Sequence, residues 1–124
     1  MCSTFKNGDR VLKPRSIVEA RGSTGALSAV WAGFARSEIL SWWKRQGAIE
    51  LDIEATEFAE RSDKTGELVW GAVPEGLVLR AVLDARGNTP LLKVVTRQAT
   101  DREMDIYGHP RMPVLDRPLH TFHD

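Results

Sequence analysis

The chain has 124 residues, 42% of them hydrophobic, with 17 Lys and Arg against 17 Asp and Glu. That length suits one domain, or one small domain with an appendage, and the apolar content excludes a chain disordered through most of its length. One cysteine, Cys2, excludes an intrachain disulfide, and no apolar run approaches the ~20 residues that span a bilayer. A cytoplasmic protein without a secretory leader is expected, since MCSTFKNGDR has no apolar signal core.

The neutral total hides an uneven distribution. Residues 1–47 carry eight Lys/Arg and three Asp/Glu, a balance of +5. Residues 48–67 carry two and seven, a balance of −5, and residues 68–124 carry seven of each. A basic segment is the electrostatic footprint of a nucleic-acid site, although the two blocks could equally pair with each other.

In chain order, residues 1–12 read as irregular, with a turn signal at Asn7-Gly8-Asp9. Lys13 to Arg21 is expected to form a short helix, with Pro14 in its first turn and Gly22 ending it. Ser23 and Thr24 are candidate N-caps for the next helix. Across 26–46, ALSAVWAGFARSEILSWWKRQ, the apolar stripe changes phase. Leu27, Val30, Trp31 and Phe34 fit one helical face, whereas Ile39, Trp42 and Trp43 fit a rotated one. Gly33 lies at the change and would cost ~1 kcal/mol inside a helix. A break there, with positive φ at Gly33 and a second helix starting near Ser37, gives two helices joined by a sharp turn. Lys44 and Arg45 then fall in the last turn before Gly47. Trp31 and Trp42 are expected in the core, with Ile39, while Trp43 is placed at an interface.

Beyond Gly47 the period becomes two. Ile49, Leu51, Ile53 and Ala55 alternate with Glu50, Asp52, Glu54 and Thr56, a half-buried strand with a solvated carboxylate face. Further strands are expected at 67–73, 77–84 and 91–97, as an antiparallel meander. Thr100 and Glu103 form a capping box for a short helix over 101–107. The expected architecture is α+β: a helical unit over 1–47, an antiparallel sheet with a short helix over 48–113, and a tail over 114–124.

Residues 13–46 resemble the helix-turn-helix of small bacterial insertion-sequence (OrfA-type) proteins and of small inhibitors of the cell-cycle regulator CtrA. The matching positions are Ile17, Val18, Ala20, Gly22, Ser23, Ala29, Val30, Gly33, Ile39 and Trp42. The resemblance implies a sequence-specific DNA-binding protein, a small bacterial or mobile-element transcriptional regulator rather than an enzyme. The residues facing double-stranded DNA would be Arg36, Ser37, Ser41, Lys44 and Arg45, and a homodimer would read a two-fold site. The acidic strand (Glu50, Asp52, Glu54) could recruit a protein partner.

Residues 93–103 have a competing resemblance to RelE- and BrnT-type ribonuclease toxins, carried by Arg97, Ala99, Thr100, Arg102 and Glu103. It implies that Lys93 and Arg97 stabilise phosphate charge and that Tyr107 or His109 moves a proton. A third class is a non-enzymatic inhibitor or immunity module. His120, His123 and Asp124 have metal-compatible spacing but read as a tail, so no metal or cofactor is expected. Cys2 becomes N-terminal if Met1 is removed, yet the sequence shows no base arranged to activate it.

Overall fold

The computed structural model describes residues 3–120. It is mostly β: 51% of residues lie in strands and 14% in helices. Eleven strands are described: β1 (Thr4–Asn7), β2 (Arg10–Leu12), β3 (Ile17–Gly22), β4 (Gly25–Arg36), β5 (Ile49–Ile53), β6 (Glu57–Arg61), β7 (Leu68–Ala72), β8 (Val78–Asp84), β9 (Leu91–Gln98), β10 (Arg111–Pro113) and β11 (Leu115–Asp116). A 3-10 turn at Ser37–Ile39 leads into helix α1 (Leu40–Arg45), and helix α2 (Asp101–Tyr107) joins β9 to β10.

The strands form two sheets, in the orders β2-β1-β6-β7 and β10-β9-β4-β3-β5-β8-β11. In the larger sheet β9 also pairs with β8, so β4, β3, β5, β8 and β9 close into a ring, and a closed sheet has no exposed edge among those five. The pairing of β4 with β9 is parallel, and the other pairings are antiparallel. One core spans both sheets. Phe5, Leu12 and Phe58 from the smaller sheet pack with Trp31, Leu51, Ile53, Leu79, Leu92 and Val94 from the ring. A second cluster of Ala35, Trp43, Ala48, Val82 and Val95 seats α1.

The expected helix-turn-helix is overturned, because residues 13–36 contain no helix. Val18 and Ala20 are buried while Ile17 and Glu19 point outward, a period of two that a short helix reading of Lys13–Arg21 misses. Gly22 and Gly25 face each other across the Ser23-Thr24 turn of a β3–β4 hairpin, so those hydroxyl residues cap no helix. Gly33 has the expected positive φ, +95°, but it lies in β4, where the register with β9 shifts between Trp31 and Phe34. The phase change is therefore a β-bulge and not a helix break. Its carbonyls are satisfied: Lys93 Nζ donates to Ala32 O (2.9 Å) and Trp31 Nε1 donates to Gly33 O (3.0 Å). Only the second helix survives, as one short turn and α1. Ile39 and Trp42 are exposed on it and Trp43 is buried, the reverse of the expected core assignment. Trp31, expected in the core, is 1% exposed.

The four-stranded meander is also corrected. The strands expected at 49–55, 77–84 and 91–97 exist as β5, β8 and β9, with β5–β8 and β8–β9 adjacent. The one expected at 67–73 is β7, which joins the other sheet beside β6, and the sequence reading did not anticipate β1, β2 or β6. The Asn7-Gly8-Asp9 signal does mark a turn, that of the β1–β2 hairpin. The capping box at Thr100 and Glu103 is present, with both reciprocal hydrogen bonds. The carboxylates at and beside β5 are only in part a solvated face. Asp52 is 2% exposed and ion-paired with Arg80, Glu50 is half-buried and pairs with Lys44 (3.3 Å), and Glu54, one residue past β5, is exposed and pairs with Arg21 (3.5 Å). Part of the basic first third thus neutralises the acidic block.

Candidate active site

Where the smaller sheet meets the ring, Ser3, Gly33, Phe34, Arg36, Glu60, Thr96, His109 and Arg111 line a cavity of about 310 Å³. Ser3 immediately precedes β1, and β1 pairs with β6, where Thr4 opposes Ala59. That pairing puts the Ser3 hydroxyl next to Glu60. Ser3 Oγ donates to Glu60 Oε2 at 2.8 Å, and both residues are buried. His109 reaches the same carboxylate from the opposite sheet, with Nδ1 3.7 Å from Glu60 Oε2.

His109 is positioned by the end of α2. Gly108 closes that helix in the left-handed conformation (φ +63°), and a Cβ there would lie 2.4 Å from Ser62 Oγ, so only glycine permits this approach to the end of β6. Asp63 N donates to Gly108 O (2.8 Å), tying the two segments together. The His109 ring is held by Arg111: Nδ1 is 3.0 Å from the Arg111 amide and 2.8 Å from its carbonyl. Neutral His109 accepts from the amide, and a ring protonated at Nδ1 donates to the carbonyl, so both forms find a partner.

Burial pushes the Glu60 carboxyl above its ordinary range, against the smaller opposing effects of the Ser3 hydrogen bond and the His109 charge. A buried carboxyl beside an imidazole, open to a cavity, is equipped to accept, hold and return a proton. The shift has a consequence for stability. Between the ordinary carboxyl range and its raised folded value, the folded chain binds more protons than the unfolded one. Stability therefore falls as pH rises through that window. Glu60→Gln removes this effect and should be the more stable protein at pH 8, with the advantage shrinking towards pH 4. Urea unfolding at pH 4, 6 and 8 measures it, and a pH-independent difference would mean that Glu60 titrates normally.

Arg36, Thr96 and Arg111 form one wall. Arg36 on β4 is in register with Thr96 on β9, and Thr96 accepts from the Arg111 guanidinium through Oγ1 and its carbonyl (2.8–3.3 Å). Arg111 also holds Glu38 as a bidentate pair, at 2.6 and 2.9 Å. The Arg111 hydrogen bond lowers the Glu38 carboxyl to about 2. Arg36 is exposed and has no ion pair among the described residues.

Of the five residues expected to face DNA, only Arg36 lines this cavity. Ser37 donates to Glu38, Lys44 pairs with Glu50, and Ser41 and Arg45 are exposed on α1. The ribonuclease set is dispersed as well. Arg97 is committed to a bidentate pair with Glu103 (2.6 and 2.7 Å), Lys93 to the bulge, and Tyr107 to packing on Phe58. His109 alone of that set lies in the cavity. Its partner Glu60 went unnoticed because in EFAER it reads as one more acid in an acidic block. Cys2, His123 and Asp124 lie outside the described residues, and His120 bonds to Asp52 and Glu50. Among the described residues no cluster of His, Cys, Asp and Glu suits a metal, and no helix is long and apolar enough to cross a membrane. No family model, curated protein or solved structure matches this chain.

Proposed function

We propose that this cavity is the active site of an enzyme in which the Ser3 hydroxyl is the nucleophile and Glu60 with His109 is the proton-transfer pair. One observation carries it: a buried carboxyl lies 2.8 Å from the hydroxyl of Ser3 and 3.7 Å from an imidazole, at the wall of a cavity. The proton acceptors beside Ser3 are supplied by β6 and the segment after α2.

In this mechanism Glu60 or His109 takes the Ser3 hydroxyl proton. The Ser3 oxygen lone pair then forms a bond to the phosphorus of a phosphodiester, and the bond from phosphorus to the leaving oxygen breaks. The stored proton is delivered to that leaving oxygen. Such a pair contributes on the order of 10²–10⁴-fold to a proton-transfer step. The DNA target expected from the basic first third becomes a candidate substrate, met by Arg36 at the cavity wall and not by a reading helix.

Labelling of Ser3 by a fluorophosphonate probe, followed by intact mass at pH 7, tests the nucleophile. The folded chain should react at least about tenfold faster than the chain unfolded in urea, and His109→Ala should fall towards the unfolded rate. Equal rates in the folded and unfolded chains would sink the proposal. Fluorescence anisotropy with single-stranded and duplex oligonucleotides tests the substrate class, and binding that ignores salt concentration would remove nucleic acid from it.

A further inference from the structure

The arginine wall has a composition that Glu60 and His109 do not explain. Two arginines, Arg36 and Arg111, line the cavity, and one carboxylate pairs with Arg111. Arg111 is half-buried, its side chain 15% exposed, and it is fixed by Thr96. Glu38, its bidentate partner, is 51% exposed and comes from outside the cavity lining. It sits on a three-residue 3-10 turn that has no buried residue and no side-chain cap. The fixed element is therefore the arginine, and the carboxylate is the part free to leave. Arg36 stands next to this pair in strand register, with no counter-ion among the described residues. The wall thus keeps an uncompensated positive charge facing the cavity that holds Glu60.

We infer that Arg36 and Arg111 bind a phosphate group of the ligand, and that Glu38 is a resident carboxylate occupying the Arg111 fork until that group arrives. The planar, five-donor guanidinium holds carboxylate and phosphate in the same bidentate geometry, so the Glu38 contact is the template for the phosphate contact. Arg36 draws the anion in, and Arg111 exchanges one anion for another. The exchange detaches the Ser37–Ile39 turn from β10, a contact that joins segments 73 residues apart in the chain. The inference rests on the cavity being the substrate site, but not on the Ser3 chemistry.

Calorimetric titration of the Ser3→Ala chain with inorganic pyrophosphate tests it independently of that chemistry, and a thymidine dinucleotide in a parallel arm separates a phosphodiester from free phosphate. Arg36→Ala should weaken binding of the preferred probe at least tenfold. Glu38→Gln should tighten it about three- to tenfold, by removing the competing charge. Arg10→Ala, at the far end of the β1–β2 hairpin from Ser3, should leave it unchanged. Binding of neither probe, equal losses in Arg36→Ala and Arg10→Ala, or weaker binding in Glu38→Gln would each overturn the inference. Failure here leaves the fluorophosphonate labelling of Ser3 intact, and failure of the Ser3 chemistry leaves this binding intact.

Discussion

Asp52→Ala should lower the unfolding free energy by about 3–5 kcal/mol, with a fall in Tm of roughly 10–20 °C. Asp52 is 2% exposed and Arg80 6% exposed, on adjacent strands β5 and β8 where their Cα positions are in register. The carboxylate is ion-paired with the Arg80 guanidinium and also accepts the His120 backbone N–H at 2.9 Å. Arg80 reaches further, to the Arg117 carbonyl (2.8 Å) and to Asp116 (3.4 Å). One buried pair thus fastens β11 and the segment after it against the ring. Removing the carboxylate strands a buried guanidinium with a mostly exposed partner, which is costlier than never having had the pair. Replacing both members, as in Asp52→Leu with Arg80→Met, should therefore cost less than Asp52→Ala alone. Urea unfolding of the three variants measures the difference. A loss below about 1 kcal/mol for Asp52→Ala would mean that water reaches the pair.

Trp31→Ala is expected to cost about 3–5 kcal/mol as well, through a different mechanism. The indole is 1% exposed and stacks on Phe5 at 4.8 Å between centroids, with an interplanar angle of 24°. Phe34 meets it edge-on at 5.8 Å. Phe5 belongs to the smaller sheet and Trp31 to the ring, so this stack joins the two sheets whose junction forms the cavity. The indole N–H also satisfies the carbonyl of Gly33 at the bulge. Trp31→Phe retains most of the burial and loses that hydrogen bond, so it should cost only about 1–2 kcal/mol. Differential scanning calorimetry of the two variants separates the contributions. Equal losses would assign the whole effect to the hydrogen bond and the bulge.

Both residues show what the sequence made legible and what it hid. The burial of Trp31 was readable from its size and setting. The leucine and isoleucine alternation of β5 was readable too, and it correctly turned Leu51 and Ile53 inward, at 0% and 1% exposure. The same alternation assigned Asp52 to solvent, because a strand pattern identifies two faces without saying whether the second is also covered. Here it is covered, by β11 and the segment that follows.

Signals confined to a few residues were dependable. The turn at Gly8 and Asp9, the Thr100–Glu103 capping box, α1's basic last turn before Gly47 and the positive φ of Gly33 all depend on backbone geometry within about one helical turn. What the sequence by itself determined, then, was the turn at Gly8 and Asp9, the cap at Thr100, the positive φ of Gly33 and the existence of β5, β7, β8 and β9. It did not determine the period of residues 26–36. Their alanines favour a helix locally, but β4 is held between β3 and β9, and pairing on both sides overrides propensity. The site was hidden for the same reason. Ser3 and Glu60 are 57 residues apart in the chain, and Glu38 and Arg111 are 73 apart. Only the tertiary structure decides such pairs, because burial, desolvation and charge pairing depend on neighbours in space that no local spacing encodes.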